Sequence, residues 1–502
     1  MLKTLRIAGR DRRRLEEIIG VTSRFGLGVL LAKLGLERSS PDNDAGSQSL
    51  PRRTRLALEE LGPTFVKLGQ ILATRNDILP PDWIAELETL HSQAPTLPFA
   101  ELRPQITEAL GQDPEDAFAS IDETPLAAAS MAQVHRAVLP DGRAVVLKLR
   151  LPGIRSKVEA DLRLIAQLAA LSERASAEVR RFAPATMVRQ LADAMLKELD
   201  FTNEGRNADL LRADFANKPR VIVPTIHWEW TSQTLLVMDH IAGVPPRDGQ
   251  VLRDAGIDPG RIVNLAADMV LEMVLVNGRF HADPHPGNLL CMKGDRLALL
   301  DLGMVGYVSP RRREEFISFV HALGNGNPSQ LADVLTSWSA EKGEVSAKRV
   351  LAASERLIER HGSGSLVLSA MVADFFALMR EERMTMPPDL LLIFKALVTM
   401  DGVLSSVQPD FNLTDAIRRS PFRVFQDRLS PGHWSPIAQA VAWELIKIGD
   451  DAPRLIRAAV RRLEADSPVA GSSAPSLREE MRLIAGSLFA GCALLAGALW
   501  WG

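Results

Sequence analysis

Three polar residues near the middle of the chain have the types and spacing of groups that hold a nucleotide-bound metal. Asp283 lies in the segment FHADPHPGN, Asn288 follows it by five positions, and Asp301 follows Asn288 by thirteen. Asp301 ends an apolar run and precedes a glycine turn. A strand that ends in a carboxylate presents an oxygen ligand from a rigid position, which suits Mg²⁺. The pattern predicts that Asn288 and Asp301 bind magnesium and that Asp283 orients a nucleophile or a water molecule.

The order of these residues is that of a kinase catalytic apparatus, in which a catalytic Asp precedes an Asn and a metal-binding Asp. Lys148 ends an earlier apolar strand. From that position an ammonium reaches the α- and β-phosphates of ATP and an acidic partner on a following helix. Glu204 is the predicted partner, and Glu198 is the second candidate. We therefore expect ATP and Mg²⁺ as cofactors.

The predicted phosphate loop is alanine-rich, because Ala127-Ala128-Ala129-Ser130 stands one hairpin before Lys148. Kinases cover the phosphates with glycines at this place, so that backbone N–H groups approach closely. Alanine keeps its N–H but disfavours positive φ, which makes the loop stiffer. We hypothesise a changed nucleotide preference or a restrained phosphoryl transfer.

The elements that must position these groups follow the order of a bilobal, kinase-like α+β fold. Two strands joined through Asp141-Gly142 predict a hairpin that carries Lys148. Helices are predicted near 155–176 and 185–212, and strands near 221–223 and 234–238. The last strand runs into Asp239 and His240, which are predicted to form the hinge beside the adenine. After residue 262 the pattern is mainly helical apart from the catalytic segment.

The composition is that of an ordinary globular protein, with 46% hydrophobic and 24% charged residues. A length of 502 residues indicates two to four structural units. The net charge of -3 gives no basic field for nucleic acid. Only two cysteines occur, which excludes a disulfide framework and a thiolate metal site.

Both ends of the chain have patterns that suit a membrane. Residues 1–38 alternate basic and apolar side chains, which predicts a helix on a membrane surface or a helix packed on the main domain. Residues 483–502 contain no charge and are just long enough to span a bilayer, with Trp500 and Trp501 at the far interface. The alternative is a helix docked in a protein groove. Arg478 and Arg482 favour the bulk of the protein on the cytoplasmic side.

Several motifs together resemble the UbiB/ADCK atypical kinase family, which is associated with ubiquinone biosynthesis. The resemblance covers about residues 55–310. Lys67-Leu68-Gly69-Gln70 resembles the K-x-G-Q motif of that family, and Glu198-Leu199-Asp200 resembles its E-x-D motif. The alanine-rich loop and the catalytic segment match as well. Departures are Val146 in place of the usual Ala, Leu302 in place of Phe, and Arg279 in place of an apolar residue.

The resemblance implies that the K-x-G-Q helices fold across the active site, that Lys67 reaches toward Glu198 or Asp200, and that Gln70 belongs to the site. It implies ATP hydrolysis or an unidentified phosphoryl transfer coupled to isoprenoid-quinone synthesis. Expected partners are ATP, membrane lipid or quinone precursors, and quinone-biosynthesis enzymes. The expected location is a membrane anchored by one C-terminal span, most simply the bacterial inner membrane. Two alternatives stay open: a small-molecule phosphotransferase, or an ATP-gated lipid-binding scaffold of a biosynthetic complex.

The predicted organisation has six parts. They are a basic N-terminal segment and linker at 1–54, a helical K-x-G-Q extension at 55–115, a kinase-like N-lobe at 116–245, a helical C-lobe at 246–430, a C-terminal helix and tether at 431–482, and a transmembrane helix at 483–502. No long activation segment follows Gly303, and Ala282 stands where regulated protein kinases carry an Arg. A peptide substrate would therefore lack its usual platform.

Overall fold

The predicted catalytic segment lies between a strand-rich part and a helical part of the chain in a computed structural model. The structure describes residues 11–27, 49–73, 79–90, 96–175, 183–338, 346–361, 368–382 and 387–413, with residues 180, 384, 416 and 417. The predicted membrane span at 483–502 and the C-terminal tether lie outside the described residues.

Helices form most of the described chain. In chain order they are α1 Arg12–Arg24, α2 Leu50–Leu61, α3 Pro63–Ala73, α4 Pro81–Glu88, α5 Phe99–Leu110, α6 Pro114–Ala117, α7 Ile154–Ala175, α8 Pro184–Glu198, α9 Phe201–Asp214, α10 Gly249–Asp254, α11 Pro259–Glu272, α12 Pro310–Gly324, α13 Pro328–Trp338, α14 Ala347–His361, α15 Leu368–Glu381 and α16 Pro388–Val407. A π-helical turn, Met273–Asn277, continues α11, and a 3₁₀ turn, Pro286–Asn288, follows Asp283.

In the described residues, ten short strands form three sheets. They are β1 Ser120–Ile121, β2 Ala127–Ala128, β3 Ala132–Val138, β4 Ala144–Arg150, β5 Val221–Ile222, β6 Leu235–Asp239, β7 Arg279–His281, β8 Leu289–Met292, β9 Arg296–Leu299 and β10 Val305–Tyr307. The largest sheet has the order β1-β3-β4-β6 with β2 paired to β3, and all its pairs are antiparallel. A second sheet has the order β5-β9-β8, and β7 pairs with β10.

The β3–β4 hairpin carries Lys148 on the face that borders the cleft. Its turn contains Gly142 at φ +89°, a conformation that suits glycine, and the Asp141 side chain accepts a hydrogen bond from the Arg143 amide. Alternate residues of a strand face opposite sides. Val145, Leu147 and Leu149 are therefore buried in the cluster under α5, whereas Lys148 points the other way.

The helix predicted over 185–212 is wrong in one respect, because the structure has two helices there. The chain breaks between α8 and α9, and Asp200 is the N-cap of α9. Its carboxylate accepts hydrogen bonds from the Thr202 amide and the Thr202 hydroxyl. A short acidic side chain satisfies the free N–H groups of a helix start, and this competes with continuation of the preceding helix.

The basic helix α1 packs on the body of the protein. Leu15, Ile18 and Val21 are buried in a cluster with residues of α2 and α7. Arg14 is buried as well, and its Nε donates to the Asp161 carboxylate at 2.6 Å. For the described residues of this segment, the apolar face is therefore covered by protein, which is the second of the two alternatives predicted from the sequence.

The helical part has an aromatic core through which α16 runs. Phe319 and Trp338 have ring centroids 5.0 Å apart, and Phe375 and Phe394 have theirs 5.3 Å apart. In the described part of the chain, one helix, at Asp389–Val407, is long and apolar enough to cross a membrane, and half of it is buried inside the protein. Burial of that kind is typical of a core helix, and it leaves the membrane prediction dependent on residues 483–502.

The glycine of the K-x-G-Q motif allows three helices to pack closely. A Cβ at Gly69 would lie 2.3 Å from Leu90 Cδ1 and 3.0 Å from Leu58 Cδ1. Gly69 is itself buried on α3. The glycine therefore sets the distance of α3 from α2 and from the end of α4, and through it the position of Lys67.

We predict that Gly69→Ala lowers the free energy of unfolding by about 1–3 kcal/mol, because the added methyl group overpacks this contact. Gly20→Ala is the matched control, since Gly20 lies on α1 and a Cβ added there would meet no atom within 4 Å. The control should gain about 0.5–1 kcal/mol from helix propensity alone. Urea denaturation of the three proteins measures both values, and equal effects of the two substitutions would contradict the packing role of Gly69.

Candidate active site

The centre of the cleft is a buried ammonium shared by two carboxylates. Lys148 Nζ lies 2.8 Å from both carboxylate oxygens of Glu204 and 3.3 Å from Asp301 Oδ2. Glu204 is buried, whereas the Asp301 side chain is about half exposed. The three groups come from β4, α9 and the end of β9, so one cluster of charges joins three separate elements.

The pKa values of the two carboxylates differ because their surroundings differ. Burial and the nearby Asp301 charge raise the pKa of Glu204 to about 7, against the attraction of Lys148. The charge of Lys148 lowers the pKa of Asp301 to about 2, although burial opposes the shift. Burial would lower the pKa of Lys148, but Asp301 and Glu204 raise it. Asp301 is therefore an anion at neutral pH and has an open side toward the cleft.

One face of α9 holds three parts of the site. Glu204 binds Lys148, Asn207 Nδ2 donates to the Leu302 carbonyl at 2.9 Å, and Asp214 pairs with Arg279, whose Nε lies 2.9 Å from Asp214 Oδ2. Asn207 and Asp214 follow Glu204 by three and ten positions, so the three side chains lie within about 80° of one another around the helix axis. The pairing also explains Arg279, which replaces the expected apolar residue, since it ties β7 to the end of α9.

The catalytic segment is held by local hydrogen bonds around Asp283. The amide of Asp283 donates to His281 Nδ1 at 3.1 Å, and Asn288 Nδ2 donates to the Asp283 carbonyl at 3.1 Å. Burial lowers the pKa of His281 to about 4, so its imidazole is neutral at physiological pH and accepts this bond. The Leu300 amide donates to the Asn288 carbonyl at 2.9 Å, which places the residue before Asp301 beside the loop.

The residues present fit a magnesium ion by the chemistry of their donors. The Nδ2 of Asn288 is engaged with the loop, so its side-chain oxygen is the atom left for a metal. Asp301 Oδ1 accepts a bond from the Gly303 amide, and the carboxylate is anchored by Lys148 through the other oxygen. An amide oxygen and a carboxylate held by neighbouring strands are hard ligands in fixed positions. Hydrogen bonds thus link Asn288 to Asp283 and to the residue before Asp301, and Asp301 contacts Lys148.

The alanine-rich loop is a tight hairpin on the exposed side of the cleft. Ala127 pairs with Val134 and Ala128 pairs with Gln133 in β3, and the Ala129 amide donates to the Ala132 carbonyl at 2.8 Å. Ala127 to Ala129 are exposed and Ser130 is half-buried. The loop contains no residue with positive φ. Alanine therefore fits this backbone without strain, and a glycine is not required for its shape.

The predicted hinge residues, Asp239 and His240, make more hydrogen bonds to neighbouring segments than the sequence indicates. Asp239 accepts bonds from His227 Nε2 at 2.9 Å and from the Thr225 amide at 3.2 Å. The backbone amides of Asp239 and His240 donate to the carbonyls of Thr225 and Ala144. What these two residues offer a base is thus their carbonyl oxygens, while the Asp239 side chain binds a neighbouring segment.

The K-x-G-Q helix contacts the site through its lysine. Lys67 Nζ lies 3.0 Å from Glu198 Oε2 and 3.5 Å from Met304 Sδ. Glu198, the second candidate for Lys148, is therefore at Lys67 instead. Asp200 caps α9, and Gln70 is exposed on α3. Lys67 joins the extension to the end of α8 and to the segment that follows Gly303.

The structure adds a cation to the site that sequence reasoning missed. Lys395 Nζ lies 3.2 Å from Asp283 Oδ1. Lys395 belongs to α16, where it is the one basic residue in twenty. A lone lysine within an apolar helix was the signal available, but nothing in the sequence connects it with Asp283, which is more than a hundred positions earlier.

Comparison with known protein families agrees with the geometry of the cleft. The profile of the ABC1 atypical kinase-like domain matches residues 89–335. The profile of the UbiB helical domain matches residues 363–412. The first range contains the whole cleft apart from Lys67 and Lys395, and the second contains Lys395.

Comparison with curated proteins gives relatives along most of the chain. A probable protein kinase UbiB of Marinobacter nauticus is 30% identical over 433 residues, which are 85% of this chain and 79% of the relative. Another, from Xylella fastidiosa, is 31% identical over 418 residues, 82% of this chain and 76% of the relative. A solved complex with erythromycin from Mycobacterium tuberculosis is 20% identical with a TM-score of 0.49, covering 70% of this chain and 90% of that chain.

We predict that Lys148→Met destabilises the protein by about 3–5 kcal/mol, because it leaves Glu204 buried without a cation. The double variant Lys148→Met/Glu204→Leu should recover most of this loss, since it removes the buried charge. Urea denaturation measures the effect. Lys218→Met is the control, because Lys218 pairs with Glu272 at the surface and should cost less than about 1 kcal/mol. A double variant no more stable than the single one would contradict the prediction.

Proposed function

The chain belongs to the UbiB family of ABC1 atypical kinase-like proteins, and from this we propose that it is a membrane-associated, Mg²⁺-dependent ATPase or atypical kinase that supports ubiquinone biosynthesis. The observation that carries the proposal is the cluster of Lys148, Glu204 and Asp301 beside Asn288. Groups of these types in this order serve nucleotide binding and phosphoryl transfer in kinases.

Each side chain has a role that follows from its contacts. Lys148, held by Glu204, binds the α- and β-phosphates of ATP, and the alanine-rich loop covers them with its N–H groups. Asn288 and Asp301 hold Mg²⁺, which neutralises phosphate charge when bound. Asp239 and His240 line the adenine side of the cleft. The backbone around Asp283 is fixed by His281 and Asn288, so its carboxylate is held in place.

The reaction is transfer of the terminal phosphoryl group to water or to an unidentified acceptor hydroxyl. Asp283 accepts the proton of the attacking O–H group as the oxygen bonds to the terminal phosphorus. The bond from that phosphorus to the bridging oxygen breaks, and ADP leaves with the electron pair. In this scheme the protein supplies position and charge, which account for most of the catalysis of phosphoryl transfer.

The K-x-G-Q extension favours a small acceptor over a polypeptide. Lys67 contacts Met304, in the short segment after Gly303 where protein kinases build a platform for peptides. With Glu198 as its second partner, Lys67 holds α3 over this side of the cleft. The same contact favours the family activity over an unrelated small-molecule phosphotransferase, because such enzymes have no K-x-G-Q helix. Gln70, which lies on α3 of the extension, and Asp200, which caps α9, belong to the same proposed site.

The membrane part of the proposal rests on the uncharged residues 483–502 and on the basic residues before them. A single C-terminal span would hold the site at the cytoplasmic face, most simply of a bacterial inner membrane. Membrane lipid or isoprenoid-quinone precursors would be the small-molecule partners other than ATP. Quinone-biosynthesis enzymes would be the protein partners.

We predict Mg²⁺-dependent ATP turnover by the purified full-length protein in lipid vesicles, and a loss of about 100-fold or more in Asp301→Asn, which removes a ligand charge. Asp254→Asn is the matched control, because Asp254 is an exposed residue at the end of α10. A coupled ADP-release assay measures turnover. Turnover equal in Asp301→Asn and the control would remove the proposed metal role.

The same variants test the biological part of the proposal in a deletion strain. Quinone and intermediate profiles should return to normal with wild-type protein and stay abnormal with Asp301→Asn or with Lys67→Ala. Full complementation by Asp283→Asn would instead favour a scaffold in which ATP binding alone sets the conformation. A labelled phospho-metabolite formed from cell extract would identify a small-molecule acceptor.

We predict that Ala128→Gly changes nucleotide affinity or turnover by about 2- to 5-fold, because glycine adds about 0.5–1 kcal/mol of backbone freedom to the loop. Isothermal titration with MgADP and an MgATP analogue, together with the ADP-release assay, measures the change. Ala119→Gly is the control, since Ala119 is exposed and its amide donates to the Val138 carbonyl, at the end of β3 away from the alanine-rich loop. If Ala128→Gly behaves as this control does, the loop does not restrain the nucleotide.

A further inference from the structure

A lysine from the helical domain reaches the carboxylate at which phosphoryl transfer would occur. Lys395 Nζ lies 3.2 Å from Asp283 Oδ1. The two residues come from different matched domains, since Asp283 is in the ABC1 domain and Lys395 is in the UbiB helical domain. The contact therefore makes α16 a contributor to the cleft.

The position of Lys395 is fixed by the core of the helical part. Its neighbours Phe394, Ala396 and Leu397 are all buried, with no more than 1% of their surface exposed. Phe394 packs against Phe316, Phe319 and Phe375. A helix anchored in this way holds the Lys395 backbone in place, and only the side chain is free to follow a ligand.

The ion pair is open to the cleft, in contrast to the pair of Lys148 and Glu204. The side chains of Lys395 and Asp283 keep 43% and 35% of their surface exposed. An exposed pair of this kind adds little to folding stability. A lysine in a helix whose other residues are mostly apolar is thus not explained by stability, and its placement is better explained by the charge it brings to Asp283.

The charges of the cleft divide into two groups. Lys148 neutralises Glu204 and Asp301 on the side of the inner phosphates. Asp283 lies on the side of the attacking group, and its backbone N–H and carbonyl are used by His281 and Asn288. Lys395 is the cation that the structure places on the Asp283 carboxylate.

We propose that Lys395 is a positioning residue for phosphoryl transfer. It orients the Asp283 carboxylate toward the attacking O–H group and sets a positive charge beside the terminal phosphate. This inference rests on the proposed function. Charge that is already in place where negative charge develops lowers the barrier more than it strengthens ground-state binding. The helical domain is accordingly part of the catalytic apparatus as well as a structural support.

The test compares Lys395→Met, Lys395→Arg and the control Lys293→Met in the full-length protein. Lys293 is exposed in the turn between β8 and β9, at the end of that hairpin away from Asn288. We expect Lys395→Met to lower kcat about 100-fold, with MgADP affinity changed less than about 3-fold and KM for MgATP raised no more than about 5-fold. Lys395→Arg should recover about 10-fold of the loss, because the charge is kept but its geometry differs.

A second readout does not depend on turnover. Titration with MgADP and with a non-hydrolysable MgATP analogue gives the preference of each protein for the terminal phosphate. Lys395→Met should lower this preference about 5-fold, the size expected for one partly exposed charged contact, and Lys293→Met should leave it unchanged.

The outcomes separate this inference from the proposed function. If wild-type protein does not turn over MgATP, the ATPase assignment fails, and the analogue preference alone decides the role of Lys395. If wild-type protein is active and Lys395→Met has the kcat of the control, the inference is overturned. It is also overturned if the Arg variant is no better than the Met variant, since a charge would then have no part in the effect.

Discussion

One buried ammonium shared by two carboxylates holds the cleft together. Lys148 lies on β4, Glu204 lies on α9, and Asp301 follows β9, so the contact joins the strand-rich part to the segment that carries the proposed metal ligands. The same α9 face also binds the Leu302 carbonyl and Arg279. Because a buried charge without its partner is costly, each of the three elements is constrained by the other two. The shape of the proposed nucleotide site follows from this constraint.

The charged groups become more exposed along the cleft, and this order matches what each has to do. Glu204 is buried and serves Lys148, whereas Asp301 is half exposed and keeps a side for a metal. Asp283 and Lys395 are also partly open, on the side where an acceptor would enter. Glu204, which holds Lys148, is the deepest of these groups, and the proposed ligand-binding groups Asp301, Asp283 and Lys395 are nearer the surface. Side-chain exposure alone therefore separates the supporting Glu204 from the charged groups that are proposed to meet a ligand.

Much of the cleft was predictable because its signals are local. The alternation of β4 and its Asp-Gly turn predict a hairpin with Lys148 on one face, and the apolar run before Asp301 predicts a strand that delivers a carboxylate. The confirmed fold class and family follow from these motifs and from Lys67 to Gln70. The pairing of Lys148 with Glu204 rather than Glu198 was predicted by asking which carboxylates share one face of a helix.

What was not predictable depends on contacts distant in sequence or on competition between local choices. Lys395 belongs to the cleft only because α16 passes beside the catalytic loop, which no periodicity shows. The break at Asp200 arises because a side-chain cap competes with helix continuation. The Asp239 carboxylate is hydrogen-bonded to His227, a residue that belongs to no recognised motif. Each case needs the tertiary structure to decide which of several reasonable partners is taken.

The break between α8 and α9 has a consequence for how this region tolerates changes in chain length. Glu198 at the end of α8 binds Lys67, and Glu204, six residues later, binds Lys148. One residue inserted between Glu204 and Asn207 would rotate Glu204 by about 100° relative to Asn207 and the rest of the helix. An insertion between Glu198 and Asp200 would instead change the spacing between the partners of Lys67 and Lys148. A single insertion or deletion in this stretch would therefore disturb the lysine contacts in a way that a substitution at an exposed position would not.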